Sequence, residues 1–230
     1  MAGFRRIVVA ALWTGILAGL LLTAVQSIQV IPTLLQAEVH EEAARAAHTD
    51  APVEAGHAHQ HDQSAWKPQN GWQRTFFTAM SNVGLAIGFA LLLGAAMFFR
   101  GGVSDWRAGL LWGMAGFVVF FAAPSLGLPP EVPGTEAARL VDRQVWWLMT
   151  VLATGAGLAL LVFTRTTTSK LIGGVLLIAP HLIGAPQPQI PGSSAPVELA
   201  HAFIHAAALA NAVFWLAIGA LMGTFYRKTA

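Results

Sequence analysis

The sequence has 230 residues, of which 55% are hydrophobic and only 10% are Asp, Glu, Lys or Arg, compared with about 25% charged residues in ordinary globular domains. So little charge cannot cover the surface of a soluble domain, which excludes a freely soluble enzyme and makes lipid the expected solvent. The net charge of +2 is too small for a nucleic-acid-binding protein, and a chain without Cys has no disulfide, thiolate metal site or Cys nucleophile.

Six apolar runs follow one another along the chain, and a bilayer core needs about 20 such residues per helix. The runs are 7–29, 76–99, 108–126, 146–164, 171–184 and 199–225. The fifth run is short and contains Pro180, which removes a backbone donor, so it could be a re-entrant or kinked segment. We predict an all-α, polytopic membrane helix bundle with about six transmembrane helices, forming a single integral membrane domain over residues 1–230. Four GxxxG pairs indicate close helix packing: Gly15/Gly19, Gly84/Gly88, Gly109/Gly113 and Gly219/Gly223.

The distribution of basic residues predicts the orientation. Eight of the thirteen Lys and Arg residues fall on the side of the N-terminus, where Asp105 is the only acid: Arg5, Arg6, Arg100, Arg107, Arg165, Lys170, Arg227 and Lys228. Because short loops rich in Lys and Arg stay in the cytoplasm, both termini are predicted to be cytoplasmic. Residues 30–75 then form a long external, His-bearing loop between the first two spans. Its first half, 36–49, is rich in Ala and Glu and can continue the first helix.

Three alternating histidines, His57, His59 and His61, mark this loop as a candidate metal-capture segment. Imidazole suits Co, Ni, Cu and Zn, and His-rich tracts often bind metal. An extended backbone would place the three rings on one face, and a flexible loop could wrap them around one ion. Such a site would be loose and exchangeable, which suits capture and transfer. The alternative is a solvated polar loop, which could respond to pH.

A second set of candidate ligands lies near the outer ends of the later helices. Glu198, His201 and His205 have the spacing i, i+3 and i+7 and therefore share one helix face. Asn211 lies about 9 Å further along the same helix, and His181 lies near the outer end of the fifth run. Together with Asn82 in the second run, these residues could form an ion entrance. The alternative is hydrogen bonding between helices, or histidines that remain hydrated at the interface.

Enzyme motifs are incomplete in this sequence. His201 and His205 have zincin spacing, but no Glu follows the first His as a general base. Ser193 and Ser194 lack the GxSxG context of a nucleophile elbow. There is no phosphate-binding loop, so the chain carries no NTPase engine, and active transport would take its energy from elsewhere. We therefore predict that the protein is not an enzyme.

Several segments resemble the CbtA-type cobalt transporter subunits of bacteria, and the resemblance covers nearly the whole chain. The carrying segments are residues 57–61, 66–75 (WKPQNGWQRT), 127–134 (GLPPEVPG), 143–147 (RQVWW), 180–188 (PHLIGAPQP) and 211–215 (NAVFW). The resemblance implies Co²⁺ uptake across the bacterial inner membrane, linked to cobalamin biosynthesis, with no prosthetic group. It also implies a small one-span, His-bearing partner of the CbtB type.

Three other functions remain open at this point. Ni²⁺ could replace Co²⁺ as the transported ion, since imidazole accepts both. The chain could be a metal-binding membrane subunit that does not transport, or a permease for a small organic solute.

Overall fold

The structure is a computed structural model of the chain and describes residues 2–49, 66, 68–103 and 105–228. Six helices account for most of these residues: α1 (2–49), α2 (Trp72–Phe99), α3 (106–125), α4 (Leu140–Phe163), α5 (Thr167–Ile183) and α6 (Val197–Lys228). The described part contains no strand, only one isolated bridge between Thr135 and Ser193. This architecture confirms the predicted all-α bundle.

Five helices of the described chain, α1, α2, α3, α4 and α6, are long and apolar enough to cross a membrane. The remaining helix, α5, has 17 residues. It is therefore about 26 Å long at 1.5 Å per residue, somewhat less than a hydrocarbon core of about 30 Å. The fifth run, the shortest in the sequence, is thus an apolar helix, and Pro180 lies in its last turn, where the missing N–H leaves one carbonyl of the preceding turn without its helical donor.

Two helices contain a short π-helical segment close to a proline. In α1 the segment Gln26–Val30 comes two residues before Pro32, and in α3 the segment Val118–Ala122 comes two residues before Pro124. Proline has no N–H to donate to the preceding turn, and its ring clashes with the carbonyl four residues earlier. A π-bulge lets the helix continue past this clash, and such bulges often occur at functional sites.

The most extensively packed helix pairs run antiparallel, and several use glycine for close contact. On α1, Gly15 and Gly19 lie against Ile87 and Val83 of α2. Two other pairs interlock between α3 and α6: Gly109, Gly113, Gly219 and Gly223. These contacts agree with the packing predicted from GxxxG. The prediction is wrong for Gly84 and Gly88, because a Cβ at either position would have no neighbour within 4 Å.

The buried core lies among α1, α2 and α6. Small residues of α1 and α2, such as Ala18 and Ala86, let α6 bring Phe214 and Ile218 into the centre. Outside this core, α5 packs on α4, which contacts the rest of the bundle chiefly through residues 118–125 of α3. The α4–α5 pair is therefore a peripheral unit, attached near one end of α3.

The two ends of the chain meet at one end of the bundle, here called the termini end. The guanidinium of Arg6 lies over the ring of Tyr226 at 4.0 Å and its Nε donates to the Tyr226 carbonyl. At the same end, the Arg100 guanidinium lies 4.0 Å from the centre of the Phe163 ring. The opposite end, called the distal end, carries the residues 126–139 and 184–196 that connect the helices.

An ordered layer covers the distal end. The segment Ile31–Thr49 continues α1, as the composition of residues 36–49 predicted, and buries Ala37 against Val132 and Ala195. The two distal connections are joined by backbone hydrogen bonds, from Glu136 N to Gly192 O at 2.9 Å and from Ser194 N to Gly134 O at 3.0 Å. These bonds hold the connections in a fixed relation to the helix ends.

Candidate metal entrance at the distal end

The predicted capture histidines, His57, His59 and His61, lie outside the described residues. The described helix before them ends at Thr49, and the description resumes with Trp66. Metal capture by this segment therefore stays a prediction.

The distal layer encloses an open cavity of about 350 Å³, here called the distal cavity. Its walls come from residues 127–138, residues 186–192 and the first turns of α6. The ionisable side chains in its wall are Glu131, Glu136, Arg143 and His201. Carboxylate and imidazole are both ligands for divalent transition metals, so this wall has the chemistry of a metal entrance.

A second open cavity of about 620 Å³, the lateral cavity, lies between the distal ends of α3 and α4. Its lining is mostly apolar and includes Phe120 and Phe121 of the π-helical segment, Trp147 and Leu148. Five residues line both cavities: Leu128, Pro129, Pro130, Glu131 and Arg143. The two cavities therefore share one wall, and among the described residues Glu131 and Arg143 are its only ionisable members.

An ion pair crosses this shared wall. Arg143 Nη2 donates to Glu131 Oε2 at 2.7 Å, and each side chain is 28% exposed. Pro129, Pro130 and Pro133 restrict the backbone on both sides of Glu131, because the proline ring fixes φ. Arg143 projects from the first turn of α4, four residues into the helix. A restricted loop and a helix thus position the two charges.

His201 is the one residue of the predicted α6 set that lines the distal cavity. Glu198 and His205 are exposed and line neither cavity. Asn211 is half-buried, and its Nδ2 donates to the Ala207 carbonyl of its own helix at 3.0 Å. The structure therefore brings one of these four residues to the cavity, and it gives Asn211 a local hydrogen bond.

His181 is half-buried at the end of α5, beside the first turns of α4. Its ring meets the Trp146 ring edge-on, with centroids 6.1 Å apart. The neighbouring Pro180 carbonyl accepts hydrogen bonds from Trp146 Nε1 at 3.3 Å and from the Gly184 backbone N–H at 3.1 Å. His181 therefore lies where the α4–α5 pair is fastened at the distal end.

Asn82 connects α2 to the π-helical part of α1. It is buried, and its Nδ2 donates to Thr23 Oγ1 at 3.0 Å and to Gln26 Oε1 at 2.7 Å. Amide groups in a span usually find such partners, so Asn82 has a structural use here.

No group of three or more His, Asp or Glu side chains in the described residues is close enough to hold a metal ion. Sequence reasoning also missed Glu131, Glu136 and Arg143 as cavity residues. For Glu131 and Arg143 the available signal was their position in two segments that carry the resemblance, 127–134 and 143–147, whereas Glu136 lies outside both segments.

The chain matches a family model described as "Probable cobalt transporter subunit (CbtA)" over residues 4–227. It belongs to the CbtA family. No curated protein and no solved structure matches the chain. The predicted family is therefore confirmed, and with it a multi-pass membrane protein that is a subunit of a probable cobalt transporter.

In this CbtA-family chain, three of the segments that carry the resemblance meet at the distal end. The Glu131–Arg143 pair joins segment 127–134 to segment 143–147. Trp146 and the Pro180 carbonyl join the latter to segment 180–188, whose last residues line the distal cavity. The distal end is therefore the strongest candidate for the functional site.

Proposed function

We propose that this CbtA-family chain is the membrane subunit of a Co²⁺ uptake transporter in the bacterial inner membrane, with its distal end outside. The observation that carries the proposal is the distal cavity, which has carboxylate and imidazole groups in its wall and lies above a bundle of apolar helices. The excess of basic residues at the termini end favours a cytoplasmic position for both termini.

Capture begins at His57, His59 and His61, which follow the distal extension of α1 in the chain. Neutral imidazoles bind Co²⁺, whereas protonated imidazole cannot, so capture fades below about pH 6 given a reference pKa of about 6.5. The ion is cargo, and it supplies cobalt for cobalamin biosynthesis. The protein itself catalyses no reaction and holds no prosthetic group.

From the capture segment the ion passes to the distal cavity and the helix ends. The candidate imidazole ligands there are His201, His181 and His205, with His201 the best supported by its position and His205 the least. His201 lines the cavity, and His181 packs against Trp146 where α5 contacts α4 at the distal end. Since the described residues offer no group of three ligands, a second subunit is expected to complete the coordination. A small one-span, His-bearing partner of the CbtB type suits this role.

Uptake of labelled Co²⁺ and Ni²⁺ into cells expressing the chain, with and without its partner, tests the proposal. Co²⁺ accumulation that needs both proteins is expected. Metal binding at the cell surface without accumulation would instead indicate a non-transporting metal-binding subunit. Preferential Ni²⁺ accumulation would change the assigned cargo, and uptake of an organic solute independent of metal would overturn the assignment.

A further inference from the structure

We propose that Glu131 is the carboxylate that accepts the divalent cation at the wall between the distal and lateral cavities, and that Arg143 is the counter-ion the metal displaces. This inference rests on the proposed function, because it assumes that the distal end meets divalent metal. It adds a binding residue and a competing cation to that function.

The Glu131–Arg143 pair lies at the boundary between the distal and lateral cavities. In the described part of the chain, Glu131 and Arg143 are the ionisable residues that line both cavities, so a cation in the distal cavity meets the Glu131 carboxylate at the boundary with the lateral cavity. The side chains are mostly buried, at 28% exposure each. A partly desolvated carboxylate needs a cationic partner, and Arg143 supplies it while no metal is present.

The charges of the competing cations favour a divalent metal over Arg143 at the Glu131 carboxylate. A divalent ion at a given distance attracts the Glu131 carboxylate twice as strongly as a guanidinium does. Carboxylate oxygen is also a direct ligand for divalent metals, whereas a guanidinium only donates hydrogen bonds. Monovalent ions lack this advantage. Arg143 therefore acts against Na⁺ and K⁺ at this wall and yields to a divalent ion, which gives the pair a role in selectivity.

A second ion pair in the distal layer shows what a purely structural pair looks like. Arg74 Nη2 donates to Glu38 Oε1 at 2.7 Å, and the side chains are 22% and 32% exposed. This pair fastens the extension of α1 to the start of α2 and lines neither cavity. It matches the Glu131–Arg143 pair in length and exposure, so Glu38→Gln is the control for Glu131→Gln.

The experiment measures Co²⁺ binding by calorimetry to the full chain in lipid nanodiscs. The parent carries His57/His59/His61→Ala and a tag without histidine, so that the capture segment adds no signal. Glu131→Gln should weaken Co²⁺ binding by about tenfold or more, equivalent to about 1.4 kcal/mol, and Glu38→Gln should change it by less than about twofold. Arg143→Met should strengthen binding, because the competing cation is gone.

Three results would each overturn the inference. They are a parent that binds no Co²⁺, a Glu131→Gln affinity equal to that of the parent, and an equal loss in Glu38→Gln, which would reveal only a general charge effect. If Glu131→Gln fails to fold, the Arg143→Met variant tests the inference instead. Unchanged or weaker Co²⁺ binding by Arg143→Met would also contradict the inference. Cellular Co²⁺ uptake by the wild-type chain with its partner tests the proposed function separately, so a functional transporter with an indifferent Glu131 would refute the inference alone.

Discussion

Replacing Gly219 by Ala tests the close contact between α3 and α6, and Gly88 supplies a control within the same chain. A Cβ at Gly219 would lie 2.8 Å from both the backbone N and the Cα of Gly113. Carbon atoms pack at about 3.5–4.0 Å, so α3 and α6 must move apart by about 0.7 Å or more. Overpacking of this kind costs about 1–3 kcal/mol, which exceeds the gain of about 1 kcal/mol from Ala in place of Gly in a helix.

Gly88→Ala is the matched control, because the new Cβ meets nothing within 4 Å. It should leave stability unchanged or raise it slightly. The assay is thermal unfolding in nanodiscs followed by tryptophan fluorescence. Relative to Gly88→Ala, which has the same helix gain, the overpacking cost of about 1–3 kcal/mol should lower the Tm of Gly219→Ala by about 2–12 °C in a chain of this size. Equal Tm values for Gly219→Ala and Gly88→Ala would refute the packing of α3 on α6 described above.

Three further predictions concern transport and topology. His181→Ala should lower the maximal Co²⁺ uptake rate even at saturating metal, at equal protein in the membrane; a normal maximal rate would reduce His181 to a packing partner of Trp146. Replacing His57, His59 and His61 together by Ala should reduce uptake at scarce Co²⁺ and have little effect at abundant Co²⁺, and unchanged uptake at both levels would exclude the segment from capture. A reporter active only outside the membrane, fused after residue 230, should be inactive, because the excess of Lys and Arg in the loops at the termini end predicts that both termini are cytoplasmic.

Hydropathy predicts the helices of this protein well because lipid leaves the backbone few alternatives. A segment that crosses the hydrocarbon core must satisfy its N–H and C=O groups internally, so an apolar run of sufficient length becomes a helix. The same reasoning makes α5 uncertain, since its 17 residues are at the lower limit of a span. Ala and Glu in residues 36–49 favour helix without a membrane, and the extension of α1 follows from this propensity.

Packing partners were less predictable than helices. A GxxxG pair shows that one helix face is small, but it does not show which surface packs there. Gly109 and Gly113 give the predicted close packing, with α6 as a partner that the motif did not identify, whereas a Cβ at Gly84 or Gly88 would meet nothing within 4 Å. The choice depends on how all the helices arrange, and no short motif contains that information.

The contact between Glu131 and Arg143 in the shared wall of the two cavities could not be predicted from the sequence, for a related reason. Glu131 and Arg143 are twelve residues apart, and their contact depends on the path of the intervening loop. Gly134, with a φ of 77°, turns the chain in a conformation that suits glycine, and the bonds to residues 192 and 194 then fix the loop. Distant segments thus create the pair, and neither residue alone has the pattern of a metal ligand.

A transport path for Co²⁺ requires weak binding sites, each with few ligands from the protein. An ion must bind well enough to enter each position and weakly enough to leave it. A complete cage of three or four ligands within this chain alone would hold Co²⁺ too long, whereas we propose that His201, Glu136 and Glu131, which line one open cavity, each contribute a single ligand. If Arg143 already occupies Glu131, the apparent affinity for the metal falls by the fraction of time the carboxylate is paired. The ion pair would then keep the entrance selective for divalent ions and still allow rapid release, which a permanent metal site could not do.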